Sequence, residues 1–139
     1  MGKAAVARIA LINDDTTYLE LMHDLLATEE GYEVLICKES DNAYRFVKEQ
    51  RPDLVLLDIR MGGEEAGWMI LELLTLDPET RSIPVIVCSA AIQNLRAHEP
   101  LLKNFGVDVL PKPFDLEVLL EKVQSALEKG RIGPEDGGR

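Results

Sequence analysis

Acidic, hydroxyl and ammonium side chains follow four of the short apolar runs in this chain. Asp14 and Asp15 follow the first run, and Asp58 ends the third. Ser89 follows the fourth run and Lys112 the fifth. Because binding groups in an open parallel sheet collect at the carboxyl ends of its strands, we expect these side chains to meet at one edge. The sequence therefore predicts a small site for a divalent cation and a phosphoryl group.

The chemistry of such a site follows from the side-chain types. Clustered carboxylates repel one another and attract a hard cation. Mg²⁺ prefers oxygen ligands and bridges readily to a phosphate, and Mn²⁺ is the alternative ion. Lys112 offers a compact positive charge to a phosphoryl oxygen, and Ser89 offers a hydroxyl donor. An aspartate in this position can act as a nucleophile towards phosphorus and form an acyl phosphate.

The elements that must position these side chains alternate along the chain. Apolar runs rich in Val and Ile predict strands at 9–13, 33–37, 54–58, 83–88 and 107–110. Segments of helical period predict helices at 16–30, 41–50, 66–76, 92–105 and 115–128. Thr16 is the expected N-cap of the first helix, and Pro100 interrupts the fourth. Alternating strands and helices indicate an α/β fold, a parallel sheet with helices on both faces.

Length and charge restrict the classes of protein further. The 139 residues fit one domain over 7–128, with an N-terminal extension at 1–6 and a disordered, glycine-rich tail at 129–139. A formal net charge of -10 disfavours binding to a nucleic-acid backbone. We find no apolar stretch long enough to span a bilayer and no signal peptide, so we expect no membrane association. The isolated Cys37 and Cys88 are typical of reduced core thiols in a cytoplasmic protein.

Four motifs resemble the receiver domain of two-component response regulators, of the single-domain chemotaxis-regulator type, over about 7–128. The matching segments are Leu11–Asp15, Pro52–Met61, Val85–Ala90 and Lys112–Phe114. The resemblance implies a flavodoxin-like, doubly wound fold. Its five-stranded parallel sheet would have the order 2-1-3-4-5 and would form the middle of a three-layer sandwich.

The resemblance also implies the role of each acidic residue. Asp58 would accept a phosphoryl group from a histidine. Asp14, Asp15 and Asp58 would hold Mg²⁺ together with the backbone carbonyl of Arg60.

Further roles follow for the residues around the phosphoryl group. Ser89 and Lys112 would contact that group, and the peptide bond between Lys112 and Pro113 would be cis. Arg60 and Ala91, two residues past Asp58 and Ser89, would tune hydrolysis.

Partners follow from the same resemblance. The phosphoryl donor would be a sensor histidine kinase or a histidine phosphotransfer protein. A downstream protein would bind the face formed by the fourth helix, the fifth strand and the fifth helix. We expect a signalling switch rather than an enzyme, present as a monomer or a weak dimer.

Two departures from the family pattern keep alternatives open. Gly62-Gly63 replace the usual proline after Met61, and Val109 stands where the family usually has a switch aromatic. The chain is therefore also consistent with a phosphorylation-independent pseudo-receiver, or with a receiver fragment of a longer transcriptional regulator. A phosphatase of the haloacid dehalogenase type is disfavoured, because Arg60 stands where a second acid is needed. A flavin-binding protein is disfavoured by the acidic turn after the first strand.

Overall fold

The computed structural model describes residues 6–60, 64–89, 99–104, 106–111 and 115–137. For residues 64, 65, 89, 101, 104 and 129–137 it describes the backbone alone. The strands are β1 (Arg8–Ile12), β2 (Glu33–Cys37), β3 (Leu54–Asp58), β4 (Val85–Ser89) and β5 (Asp108–Pro111). The helices are α1 (Thr16–His23), α2 (Ser40–Gln50), α3 (Glu64–Leu76), α4 (Glu99–Asn104) and α5 (Leu116–Gly137). A π-helical segment, Asp24–Glu29, continues α1.

The five strands form one parallel sheet in the order β2-β1-β3-β4-β5. The predicted α/β fold and strand order are confirmed. β3 lies at the centre of the sheet, and its residues 54–57 are buried. A strand covered on both faces must be apolar on both faces, which explains its continuous Leu-Val-Leu-Leu sequence.

Alternate residues of the strands build two separate cores. One core packs α2, α3 and α4 against one face of the sheet and is centred on Val55, Leu57 and Val87. The other packs α1, its π-helical continuation and α5 against the opposite face, around Leu54, Leu56 and Ile86. The result is the expected three-layer sandwich, and the carboxyl ends of the strands are left at one edge between the helical layers.

The start of α1 differs from the prediction. Asp15, not Thr16, is the N-cap, because its backbone is extended and its side chain accepts a hydrogen bond from the Tyr18 N–H. A carboxylate at this position also interacts favourably with the positive end of the helix dipole. Asp15, one of the acidic residues of the predicted site, therefore also stabilises the start of α1.

The predicted disordered tail at 129–139 overlaps the end of α5. α5 continues with helical backbone to Gly137, where the composition of 129–139 predicts disorder. In the fourth helix, the structure describes only Glu99–Asn104 of the predicted 92–105. Within the described residues no helix is long and apolar enough to cross a bilayer.

A polar cluster ties α2 to the end of α3. The Tyr44 hydroxyl donates a hydrogen bond to the Asp77 carboxylate, and Lys48 Nζ lies 3.1 Å from the same group. The Glu79 N–H donates to Asp77 Oδ1 at 2.9 Å. Chiefly because of the Tyr44 hydrogen bond, and then the Glu79 N–H and Lys48, the pKa of Asp77 is lowered from 3.8 to about 2.

We predict that Asp77→Ala lowers the urea midpoint of unfolding at pH 7. Because the folded-state pKa lies below the unfolded value, the ionised carboxylate stabilises the fold above pH 3.8, and this contribution is lost as the pH falls towards 2. The difference between wild type and variant should therefore shrink between pH 4 and pH 2. Glu79→Ala, which removes only an exposed pair with Arg51, serves as the control. A difference that is constant over this range would contradict the assignment.

Candidate functional site

Asp58 lies half-buried at the carboxyl end of the central strand. Its Oδ1 accepts a hydrogen bond from the Arg60 N–H at 3.1 Å, which fixes the carboxylate over the turn that follows β3. On one side its register partner is Cys88 of β4. On the other side Ile12 pairs with Leu57, so the turn after β1 begins level with Asp58.

That turn is held in place by Asn13. The Asn13 side chain is only 2% exposed, and its Oδ1 accepts the Asp15 N–H at 2.8 Å. Its backbone N–H donates to the Cys37 carbonyl at 3.1 Å and so anchors the turn to β2. An Asn side chain that bonds the backbone two residues on is a standard way to stabilise a tight turn. Asp14 is exposed and lies in this turn, between Asn13 and the N-cap residue Asp15.

The sequence predicts that Asp14, Asp15 and Asp58 hold a metal ion together. Asp14, Asp15 and Asp58 all belong to the described part of the chain. Within that part no three acidic, histidine or cysteine side chains are grouped so that they could hold a metal ion. Asp15 Oδ1 accepts the Tyr18 N–H at 3.3 Å, so this carboxylate caps α1. Asp14, Asp15 and Asp58 remain the candidate acidic ligands.

Gly67 brings α3 close to the turn after Asp58. A Cβ at position 67 would lie 1.8 Å from the carbonyl oxygen of Ile59. Only a residue without a side chain allows this approach. Ile59 is buried and its N–H donates to the Cys88 carbonyl at 3.3 Å. The segment after the phospho-acceptor candidate is therefore fixed from both α3 and β4. This role is not evident from the sequence, because a glycine inside a helical pattern does not reveal which backbone approaches it.

Tyr18 and Cys88 are neighbours of Asp58 that sequence reasoning also missed. Tyr18 packs against the core between α1, β4 and α5. Burial raises the pKa of the Tyr18 hydroxyl, and the Cys88 side chain, which the hydroxyl hydrogen-bonds, raises it further. The negative charge of Asp58 acts in the same direction. The only available signal in the sequence was the position of Tyr18 three residues after the helix cap.

The remaining predicted site residues are described in part or not at all. The Ser89 backbone ends β4 and pairs with Pro111. Lys112, the peptide bond between Lys112 and Pro113, and Ala91 lie outside the described residues. Val109, partly buried, packs against the core that α2, α3 and α4 share, and pairs with Val87. The family's aromatic position is thus occupied by a core aliphatic residue.

A doubly wound parallel sheet with an aspartate at the carboxyl end of its central strand defines a flavodoxin-like α/β protein with a polar site at that edge. The sequence profile of the response regulator receiver domain matches residues 9–124. Protein PilH of Pseudomonas aeruginosa is 32% identical over 123 residues, which are 88% of this chain and 98% of PilH. The chain therefore belongs to the response regulator receiver domain family.

Other similar proteins extend this picture. The transcriptional regulatory protein YvcP of Bacillus subtilis is 32% identical over 88% of this chain, and the match covers 49% of YvcP. The chain thus spans about half the length of the first curated relatives it matches. The fold matches the receiver domain of the sensor histidine kinase PA1611 of Pseudomonas aeruginosa with a TM-score of 0.74. That match has 24% identity and covers 89% of this chain and 99% of that one, which was solved with a magnesium ion in its active site cleft.

We predict that Gly67→Ala destabilises the protein by about 1–3 kcal/mol, as overpacking does. The sign is informative, since Gly→Ala inside an unobstructed helix stabilises by up to about 1 kcal/mol. Urea denaturation, followed by circular dichroism, measures the change. A more stable Gly67→Ala variant would show that α3 does not approach Ile59 in the way described.

Proposed function

We propose that this chain is a phospho-accepting receiver in which Asp58 takes a phosphoryl group from a sensor histidine kinase or a histidine phosphotransfer protein. The observation that carries the proposal is the position of Asp58, half-buried at the carboxyl end of β3 beside the Asn13–Asp14 turn. Family membership supports the same role. We place the reaction in the cytoplasm, where kinase catalytic domains and their ATP are found.

In the proposed transfer, a carboxylate oxygen of Asp58 is the nucleophile. That oxygen attacks phosphorus, a P–O bond of the acyl phosphate forms, and the P–N bond to the donor histidine breaks. The electron pair of that bond stays on the imidazole. With a small donor such as acetyl phosphate, acetate leaves instead. The Arg60 N–H binds Asp58 Oδ1 and so orients the carboxylate for attack. Ser89 and Lys112 are proposed to contact the transferred oxygens.

The donor set is compatible with Mg²⁺. Mg²⁺ is commonly bound by one or two carboxylates and keeps several of its waters, so Asp14 and Asp58 suffice without Asp15. The Arg60 carbonyl is the proposed third ligand, and Mn²⁺ would use the same oxygens. A cation bound there would neutralise the charge on the phosphoryl oxygens during transfer.

The output proposed for the phosphorylated state is a protein interaction, so the chain is a switch rather than an enzyme. The proposed surface is formed by α4, β5 and α5, where Lys122 Nζ lies 3.1 Å from Asp108 Oδ1 and joins α5 to β5. A shift between two conformers would change this face. The proposed downstream target is either a separate protein or an output domain of the same polypeptide. YvcP, of which the match covers 49%, is long enough to hold such a domain.

One observation favours a second function. Val109 packs against the core and has no aromatic ring that could move between two positions. A phosphorylation-independent interaction module needs no such moving ring, so this residue is compatible with that function. The phosphorylation assay separates the two functions.

Purified protein should incorporate one phosphoryl group from acetyl phosphate in the presence of Mg²⁺. Intact-mass spectrometry would show the added group, and EDTA should abolish it. Asp58→Asn removes the nucleophile and should incorporate none. Asp24→Asn, the same substitution at an exposed position of the π-helical segment, is the matched control and should behave as wild type. A folded wild type that stays unmodified would favour the phosphorylation-independent module.

Neighbouring substitutions separate metal binding from helix capping. Asp14→Ser should weaken Mg²⁺ binding, measured by calorimetric titration, by about tenfold or more, because a ligand and its charge are lost. Asp15→Ser removes the same charge but keeps a capping oxygen, so it should change Mg²⁺ affinity far less and leave stability intact. Asp15→Ala should cost about 1 kcal/mol of stability. Equal losses of affinity in the two serine variants would make Asp15 a metal ligand after all.

A further inference from the structure

The outer face of α3 exposes three large apolar side chains. Met69 is 60% exposed, Leu73 is 41% exposed and Leu76 is 61% exposed. Residues three and four positions apart lie on the same side of a helix, so these side chains form one apolar stripe. Single exposed apolar residues are common on protein surfaces, whereas a contiguous group of them is typical of an interaction site. The stripe is therefore a candidate surface for association.

The stripe borders an open groove between α3 and α2, which pack on the same face of the sheet. The groove has a volume of about 530 Å³. Met69 and Leu73 line it from α3, and Arg45 and Lys48 line it from α2. Helices pack by inserting the side chains of one into the grooves of another. A further helix laid along this groove would contact apolar side chains on one side and basic side chains on the other.

The basic side of the groove is ordered by polar contacts within the chain. Lys48 Nζ lies 3.1 Å from Asp77 Oδ2 and 5.6 Å from the centre of the Tyr44 ring. The Tyr44 hydroxyl donates a hydrogen bond to the same carboxylate. Side chains that are ordered before association lose less conformational entropy when a partner binds. This side of the groove is therefore prepared for a contact.

The charges around the groove select the kind of helix that fits. Arg45 is exposed, and Lys48 is paired with Asp77, so Arg45 is the better partner for an acidic group. Asp41 also lines the groove, one turn before Arg45. A complementary helix has an apolar stripe, an acidic residue level with Arg45 and no basic residue. α3 itself has this composition, with three Glu and no Lys or Arg, and its exposed Glu72 lies within the stripe.

We propose that the groove is the interface of a homodimer, in which α3 of each copy lies in the groove of the other. Glu72 of each copy would face Arg45 of the other. One surface meets itself in this arrangement, so the dimer is two-fold symmetric and each contact occurs twice. Because the stripe is short and each chain has a net charge of -10, the dimer is weak and reversible.

The proposed dimer does not compete with the surface proposed above for a downstream protein. β5 is the edge strand at the other end of the sheet from β2, and α5 packs on the opposite face from α2 and α3. Both elements therefore stay accessible in the dimer. Association needs no phosphoryl group, and its test is independent of the function proposed for Asp58.

Sedimentation velocity of the full, unphosphorylated chain tests the proposal. The sedimentation coefficient should rise from the monomer value towards the dimer value between low micromolar and millimolar concentration. Met69→Lys should raise the Kd of the dimer by about tenfold or more, because an apolar contact is lost in both copies. Leu21→Lys is the matched control, since Leu21 of α1 is 53% exposed and lies away from the groove. It should dimerise as wild type does.

Charge reversal tests the pairing of Arg45 with Glu72. Arg45→Glu and Glu72→Arg each place two like-charge pairs in the dimer, and each should raise its Kd by about tenfold. The double variant restores opposite charges and should return the Kd to within about threefold of wild type. General repulsion predicts a different result, because Glu72→Arg makes the chain less negative and would strengthen association. Circular dichroism and urea unfolding check that each variant is folded.

Each outcome bears on the proposal. A dimer that Met69→Lys and both single reversals weaken, and that the double reversal restores, would support it. A dimer that these variants leave unchanged would use another surface and would overturn it. A wild type that stays monomeric to millimolar concentration would also overturn it, and the groove would then suit an acidic helix of another protein. The receiver function would stand in both cases, because no phosphoryl donor is present in these experiments.

Discussion

The parallel pairing of β1 with β3 is the constraint on which the rest of the site depends. Because Ile12 pairs with Leu57, the turn that leaves β1 and the aspartate that ends β3 are at the same level of the sheet. A slip by one residue would move every side chain of the strand to the opposite face, so burial of both faces of β3 fixes the register strongly. The position of Asp58 beside Asp14 is therefore a consequence of core packing.

The fold was predictable from the sequence because its signals are local and repeated. Continuous apolar strands and amphipathic helices gave the element order, and the strand order followed from the resemblance carried by four motifs. Element ends were less predictable. Asp15 and Thr16 are both good caps, and only the backbone geometry shows that the carboxylate takes the role.

The residues of the site were predictable from the sequence, but the separate role of each residue was less so. Adjacent aspartates look equivalent in a sequence, yet the Asn13 side chain fixes the turn so that Asp15 meets the N–H of Tyr18 while Asp14 is held before it. Gly67 and Cys88 act through contacts with residues eight or more positions away, Ile59 in one case and Tyr18 in the other. No spacing rule within a single segment reveals such contacts.

The division between Asp14 and Asp15 has an electrostatic consequence. A chain with a net charge of -10 repels an incoming phosphoryl group. Three uncompensated carboxylates at one end of the sheet would increase this electrostatic repulsion. The capping carboxylate is partly neutralised by the helix N-terminus, so it contributes less repulsion than a free one. The N-terminus of α1 thus offsets part of the negative charge at the end of the sheet where Asp58 lies, which favours an anionic group on that residue.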